Sequence, residues 1–375
     1  MKKSIGLIIL GLVVVLAMVV GVSGCSAPAP SPTPLPKTQA PPTTTAQPAP
    51  KPTSASPAAA VGGNLIDNFI FVAGKGGKGY TMAATYSELI NSHSPKMKSQ
   101  IQVVPTFPER VDLLVAGTAH SFMYSGTEPL YAYFGEQGLK PTKLRMLNSS
   151  GYPASSVAAI STTPATGIKS VKDLKGKRFL ADYAAITWYG QFAEAVLRAN
   201  GMTKDDVKWL KYAQGPEAFR EIKEGRADAV CFLLGTETVD LAQTVGLYVI
   251  PLTPAEQAEV KKVLPAFSPL VIPKGAEGCP ADTPGMSSDA AFWVHANLSD
   301  ISAYTATKIM YENIAQYHGA YPANKGFTKE TALTLWLVPY HPGAVAYYKE
   351  IGIWGAAEDT KQEGLLKKEA TIFKS

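Results

Sequence analysis

A glycine-rich run with two lysines, Gly74-Lys75-Gly76-Gly77-Lys78-Gly79, follows the apolar stretch Phe69 to Ala73 and precedes Tyr80. Gly74, Gly76 and Gly79 match the G-x-G-x-x-G spacing that brings a backbone close to a pyrophosphate. A dinucleotide site also needs an acid at the end of the next strand, and the chain there reads Val103-Val104-Pro105-Thr106. A P-loop needs Lys and then Ser or Thr after its last glycine, whereas Tyr80 follows Gly79. What remains is general anion chemistry: glycine N–H groups that approach a ligand, a helix N-terminus, and the charges of Lys75 and Lys78. A solvated turn with two surface lysines is the open alternative. The chain contains no G-x-S-x-G elbow and no H-E-x-x-H motif. His341, in Tyr340-His341-Pro342-Gly343, reads as a turn residue rather than a general base. Cys231 lies in an apolar run and reads as an inert core thiol, and Cys279 reads as exposed in the loop from Pro273 to Met286. Whether those two pair stays open. The three cysteines fit no zinc spacing, so no metal, cofactor or catalysis is expected.

The elements that would position these residues occur twice. Strand, loop and helix over Phe69 to Asn91 are followed by a strand at Ile101–Val104, a helix at Pro108–Ala116 and a strand at Ala119–Tyr124. The same order recurs as Lys177–Ala181, a loop at Asp182–Thr187, a helix with Phe192, Ala195, Val196 and Ala199 on one face, Val207–Tyr212, Pro216–Glu224 and Ala227–Leu234. Tyr80 and Trp188 are 108 positions apart, as are Gly117-Thr118-Ala119 and Gly225-Arg226-Ala227; Gly126-Thr127-Glu128 and Gly235-Thr236-Glu237 are 109 apart. This register predicts an α/β, two-lobed, periplasmic-binding-protein-like fold, each lobe a mainly parallel sheet flanked by helices, with a ligand cleft between lobes. The expected divisions are 64–155 for lobe I, 156–285 for lobe II and 286–375 for a return to lobe I with C-terminal helices. The crossing is placed near Gly151–Ser161 and the return between Phe267 and Asn297.

Composition is consistent with this and adds an address. The chain has 375 residues, 46% hydrophobic and 17% charged, enough for packed cores and too apolar for disorder. Residues 1 to 60 hold four lysines and no acid, so the net charge of +5 sits mostly there and a nucleic-acid partner is excluded. Met1-Lys2-Lys3 and the uncharged run Ile5 to Val22 form a leader that ends Val22-Ser23-Gly24-Cys25, similar to a bacterial lipobox with Cys25 as the lipidated residue. Eleven of the 29 prolines fall between Ser26 and Ala60. That segment reads as an extended tether reaching on the order of 100 Å at ~3.1 Å per residue. The expected divisions here are 1–24 for the signal peptide and 25–63 for the tether, giving an extracytoplasmic domain lipid-anchored to a bacterial membrane.

Five stretches between Phe69 and Gly352 resemble the TAXI-type solute-binding subunits of tripartite ATP-independent periplasmic (TRAP) transporters. They are Ala73 to Tyr80, Ala116-Gly117-Thr118-Ala119-His120, Gly167 to Arg178, Gly225 to Ala229, and Tyr340 to Ala344 followed by Tyr347-Tyr348-Lys349-Glu350. The resemblance implies a monomeric, non-enzymatic receptor that passes a small organic anion, a carboxylate or amino acid, to membrane permease subunits. The binding protein of an ATP-driven importer and a sensory receptor are the alternatives. An enzyme would need paired titratable groups, and the cleft loops offer only the acids Asp182, Glu128 and Glu237. Where the family carries Gly-Ser-Gly-Thr before the second-lobe helix, this chain has Ile186-Thr187-Trp188-Tyr189, which favours one carboxylate on an apolar or aromatic body over a compact dicarboxylate. His120 replaces an acid of the pattern and is expected to be structural. Expected ligand contacts are Lys75, Gly76, Gly77, Lys78 and Tyr80; Thr106; Tyr124, Ser125, Gly126 and Thr127; and Tyr183, Thr187, Trp188, Gly235 and Thr236. For the aromatic cluster of Tyr183, Trp188 and Tyr189, core packing and ligand contact both stay open.

Overall fold

In the computed structural model, residues 61–183 and 186–374 are described, and all belong to one unit. The leader, Cys25 and the tether as far as Ala60 lie outside the described residues.

The first strand, β1 (Asn68–Ala73), runs parallel to β2 (Lys98–Val103) through helix α1 (Gly77–His93). Gly76 and Gly77 sit at φ 73° and 79°, which glycine adopts without strain, and they turn the chain so that α1 starts inside the glycine run. One face of α1 buries Met82, Ala83, Tyr86, Leu89 and Ile90 against the sheet, at the spacing of an amphipathic helix. Helix α2 (Phe107–Val115) opens on a capping box between Thr106 and Glu109 and is followed by Gly117 at φ 69°. After β3 (Ser121–Ser125) come α3 (Thr127–Phe134) and β4 (Leu144–Ser149). The chain then crosses to the other lobe through Ser150–Ser155.

Lobe II repeats the plan: β5 (Ser156–Thr162), β6 (Arg178–Tyr183), α4 (Trp188–Ala199), β7 (Lys208–Tyr212), α5 (Gly215–Lys223), β8 (Ala229–Leu233) and α6 (Thr236–Thr244). It closes with β9 (Tyr248–Val249), α7 (Pro254–Val263), β10 (Phe267–Ile272) and β11 (Thr283–Ser288). A single residue, Asp289, then leads into β12 (Ala290–His295) of lobe I. Strand order is β2-β1-β3-β12-β4 in lobe I and β10-β11-β5-β8-β6-β7 in lobe II, with β9 beside β5. This is a two-lobed α/β fold of the periplasmic-binding-protein type.

The expectation of mainly parallel sheets needs correction, because both sheets are mixed. Strand β12 is antiparallel to β3 and β4, and β5 is antiparallel to β8, β9 and β11. A strand arriving from the other lobe enters at the cleft, where the parallel strands end, so it must run against them. The loop expected over Pro273–Met286 also contains most of β11. Cys279 in that loop is 1% exposed, not exposed as expected, because the segment folds onto α6. Cys231 is buried in β8, and both thiols are free. Burial pushes the Cys231 thiol well up.

Lobe I has one large apolar cluster, and lobe II has one on each face of its sheet: Ala158 and Ile160 of β5 point to one, Val157 and Ala159 to the other. Helices α8 (Asp300–Glu312), α9 (Ile314–Ala320), α10 (Pro342–Glu350) and α11 (Ala356–Ile372) join the lobe I cluster. A buried bidentate pair of Arg145 and Glu369 ties α11 to β4. The segment before α10 grips both crossings: Gly151 N–H donates to Gly326 O (2.8 Å) and Thr334 Oγ1 to Asp289 (3.1 Å). His341 caps α10, accepting from Gly343 N–H (3.2 Å) while its other ring nitrogen meets Leu298 O (2.9 Å). Burial lowers its pKa to about 4, so it is neutral, and it lies away from the cleft. His120 is likewise structural, accepting at Nδ1 from Ile70 N–H (2.9 Å).

Candidate functional site

The ends of β1, β3, β6 and β8 face one another across the two crossings. Both lobes line a cavity of ≈ 330 Å³ there, and an adjoining one of ≈ 500 Å³ shares Lys78, Ser156 and Leu233 with it.

Arg110 dominates the lobe I wall. The capped first turn of α2 aims it across the end of β2, where Nε donates to Val104 O (2.8 Å) and Nη2 to Pro105 O (2.9 Å). The residue is 7% exposed, and its guanidinium lies 5.8 Å from the Tyr124 ring centroid. A Cβ at Gly74 would come within 2.8 Å of Nη2, so the glycine leaves room for the guanidinium. Among the described residues no carboxylate forms an ion pair with Arg110, and the guanidinium retains N–H groups for a ligand.

Glu128 stands on the first turn of α3. Its Oε2 is buried and accepts no hydrogen bond among the described residues. Burial raises its pKa to about 7, against smaller lowering effects from its own backbone N–H, Trp188 and Arg110. Burial also drives the Tyr124 hydroxyl up to about 12, so it stays a neutral donor. Lys78 reaches from α1 to the first crossing and donates to Pro153 O (3.3 Å) and Ser155 O (3.5 Å). Burial lowers its pKa, and Glu277 acts in the opposite sense.

The lobe II wall is aromatic. The Trp188 and Tyr189 rings stack at 3.9 Å and 15°, and Tyr189 stacks on Phe232 at 5.3 Å and 16°. Trp188 is 2% exposed, and its side chain approaches the Glu128 carboxyl closely enough to hold down part of the rise in that group's pKa. Tyr131 of α3 donates to Gln191 Oε1 of α4 (3.0 Å), joining the lobes at the rim.

Of the residues singled out from the sequence, Gly76, Lys78, Tyr80, Tyr124, Ser125 and Trp188 line the smaller cavity, and Gly77, Lys78, Gly235 and Thr236 the larger. The others sit outside both. Lys75 faces solvent, Thr106 is committed to capping α2, and Thr187 is exposed at the start of α4. Gly126 is wedged against Leu337 and Ala266, Thr127 is buried, and Tyr183 stacks on Tyr212 at 5.2 Å. Sequence reasoning passed over Arg110 and Ser156, and had left Tyr189 open between core packing and ligand contact; it lines the smaller cavity. Arg110 had one available signal: it is a charge on the inner face of a repeated Pro-Glu helix whose second copy carries Ala218. Among the described residues no group of three or more His, Cys, Asp or Glu is placed to hold a metal.

Several solved structures share the outline at low identity. The aliphatic sulphonate-binding protein SsuA of Escherichia coli is 13% identical over 82% of this chain and 87% of its own, with a TM-score of 0.44. The alkanesulfonate-binding protein SsuA of Xanthomonas axonopodis pv. citri, bound to MOPS, is 14% identical over 80% and 85%, with a TM-score of 0.43. Substrate-binding domain 2 of GlnP from Lactococcus lactis is 14% identical over 68% and 94%, with a TM-score of 0.41. These likenesses are too distant to carry a ligand across. The family model is decisive: it matches residues 70–352, spanning both lobes and both crossings, and the chain belongs to the NMT1-like family.

Proposed function

We propose that this chain is the extracytoplasmic solute receptor of a membrane importer. It captures a small organic anion in the interlobe cleft and presents it to permease subunits, acting as a monomer and carrying out no chemistry. The carrying observation is Arg110: a guanidinium buried at the cavity wall, held by two backbone carbonyls and matched by no carboxylate among the described residues. The glycine-loop amides, Ser125 and Tyr124 add neutral donors beside it. The membrane partner is an ATP-driven importer or the TRAP-type transporter that the sequence motifs resemble. The leader ending at Cys25 supports delivery to the outer face of a membrane and tethering by a lipid.

Thermal unfolding of the purified chain against a panel of organic acids, sulfonates and amino acids tests the reading. A ligand at a hundredfold excess over its Kd adds about 2.7 kcal/mol of stability. Binding confined to solutes without an anionic group would overturn it, as would an Arg110→Ala protein with full affinity. Uptake that stops when ATP is depleted and the ion gradient is held supports the ATP-driven partner; uptake that follows the gradient supports the TRAP-type one. Cys25→Ser is expected to release the protein from membranes into the aqueous phase of a detergent partition.

A further inference from the structure

The second crossing between the lobes is one residue long, and that residue is an acid, Asp289. Its neighbour Ala290 lines the smaller cavity, whereas the Asp289 side chain meets Thr334 in the segment before α10. Lobe II reaches the same place through the end of α7 and the turn into β10. Ala266 of that turn is 1% exposed and packs into the lobe I core. A Cβ at Gly126 of lobe I would come within 3.0 Å of Ala266 and 2.5 Å of Leu337. None of Lys261, Ala266, Asp289, Thr334 and Leu337 lines either cleft cavity. The turn after α7 thus sits in a seat formed by lobe I, and the lobes cannot rotate about the crossings without disturbing it.

The hydrogen bonds of this seat favour a proton on Asp289. Thr334 Oγ1 lies 3.1 Å from the Asp289 carboxyl and 2.9 Å from Thr331 O. One hydroxyl proton serves one of these acceptors at a time. A protonated Asp289 removes the conflict: it donates to Thr334 Oγ1, and Thr334 donates to Thr331 O. Burial acts in the same sense and raises the Asp289 pKa from 3.8 to about 6, against smaller lowering effects from Thr334 and Lys261. The titratable groups that face Asp289 are Lys261 of α7 and Tyr340 of the segment before α10. Burial keeps the Tyr340 hydroxyl protonated. Lys261 Nζ donates to Pro265 O (2.7 Å) and Ser268 Oγ (3.4 Å) and acts on the carboxyl through its charge.

We infer that Asp289 makes the hinge sensitive to pH: with its proton the lobes hold the described arrangement, and without it the seat loosens and a second arrangement gains. The sense follows from linkage. A seat that raises the pKa is favoured by acid; that preference falls as pH rises from 3.8 to about 6 and is constant above. If loosening returns Asp289 to its ordinary 3.8, the balance between the arrangements moves by on the order of a hundredfold across that window. The inference concerns the hinge and stands whatever the cleft binds.

The test is the interlobe distance of the ligand-free full chain, read by double electron–electron resonance from pH 4 to pH 8. Spin labels are placed at Glu136→Cys on lobe I and Glu194→Cys on lobe II, both exposed, in a Cys25→Ser background. Circular dichroism at each pH reports that the chain is folded. The expected result is a second distance population that grows between about pH 4 and pH 6 and is steady above. Asp289→Asn keeps the shape, can donate to Thr334 and does not titrate, so it should give one distribution at every pH. Lys261→Met removes the charge that restrains the Asp289 pKa and should carry the change to higher pH. A wild-type distribution that does not respond to pH overturns the inference, and so does a response that survives Asp289→Asn. A response that Lys261→Met leaves in place belongs to another group and overturns it as well, which keeps the test decisive if Asp289→Asn fails to fold.

Discussion

The two lobes place the same elements around the cleft and fill corresponding positions with opposite chemistry. Helix α2 of lobe I begins Phe107-Pro108-Glu109-Arg110, and α5 of lobe II begins Gly215-Pro216-Glu217-Ala218, 108 positions on. Tyr124 at the end of β3 corresponds to Phe232 at the end of β8. In lobe I the Phe107 ring packs on Tyr124 at 4.9 Å, and Arg110 takes the space beneath Gly74. In lobe II the Phe232 ring lies over Gly215, where a Cβ would come within 2.5 Å of it, and Ala218 is fully buried. At the smaller cavity lobe I therefore keeps a charged, hydrogen-bonding wall and lobe II a largely apolar one. A repeated topology constrains where a cleft forms and leaves each half free to specify a different part of a ligand.

The strongest way to break this comparison is to exchange the walls. Ala218→Arg would bury a guanidinium in lobe II with Phe232 occupying the space above Gly215. A loss of about 3–5 kcal/mol is expected in urea denaturation. A loss under about 1 kcal/mol would show that the two positions are interchangeable. Arg110→Ala removes charge-assisted hydrogen bonds worth roughly 1.5–3 kcal/mol each, so affinity for an anionic ligand should fall about a hundredfold in calorimetry.

Glu128→Gln sharpens the comparison through pH. The folded-state pKa is raised from 4.5 to about 7 by burial, so the folded chain holds this proton more tightly than the unfolded one. The contribution to stability is therefore greatest below about pH 4.5, falls as pH rises towards 7, and is constant above. Relative to Glu128→Gln, the wild-type protein should lose up to about 3 kcal/mol across that window, and parallel stability curves for the two proteins would refute the assignment. Lys78→Ala and Ser125→Ala should each weaken binding about tenfold, or ~1.4 kcal/mol. The smallest effect is expected at Lys75, which faces solvent: Lys75→Ala should leave both affinity and stability within about 0.5 kcal/mol. A large change there would return the binding surface to the outside of the glycine loop.

How far the sequence could be read differs between fold and site. Gly117 and Gly225, each just past a helix, and the repeated Gly-Thr-Glu marked the elements, because helix ends and tight turns depend on local backbone conformation. The glycine loop pointed to the cleft for the same reason. Lys75 and Lys78 could not be told apart, since three positions on a turn and a helix start separate a solvated side chain from one that reaches the crossing. Thr106 looked like a donor and proved to be a cap, a competition that only the following turn of helix settles.

The amino-acid sequence by itself determined the repeat, the order of strands and helices within each copy of it, and the end of each unit at which the cleft loops gather. These follow from periodicity and from residues whose conformational preferences are local. The tertiary structure alone decided that both sheets are mixed, that Tyr189 stacks on Phe232, and that Arg110 and Glu128 share one cavity. Those facts depend on where a chain re-enters a lobe and on contacts between residues far apart in sequence. The electrostatics follow the same division. A carboxyl such as Glu128 has an ordinary pKa in an unfolded chain, and only its burial in the folded protein raises it to about 7.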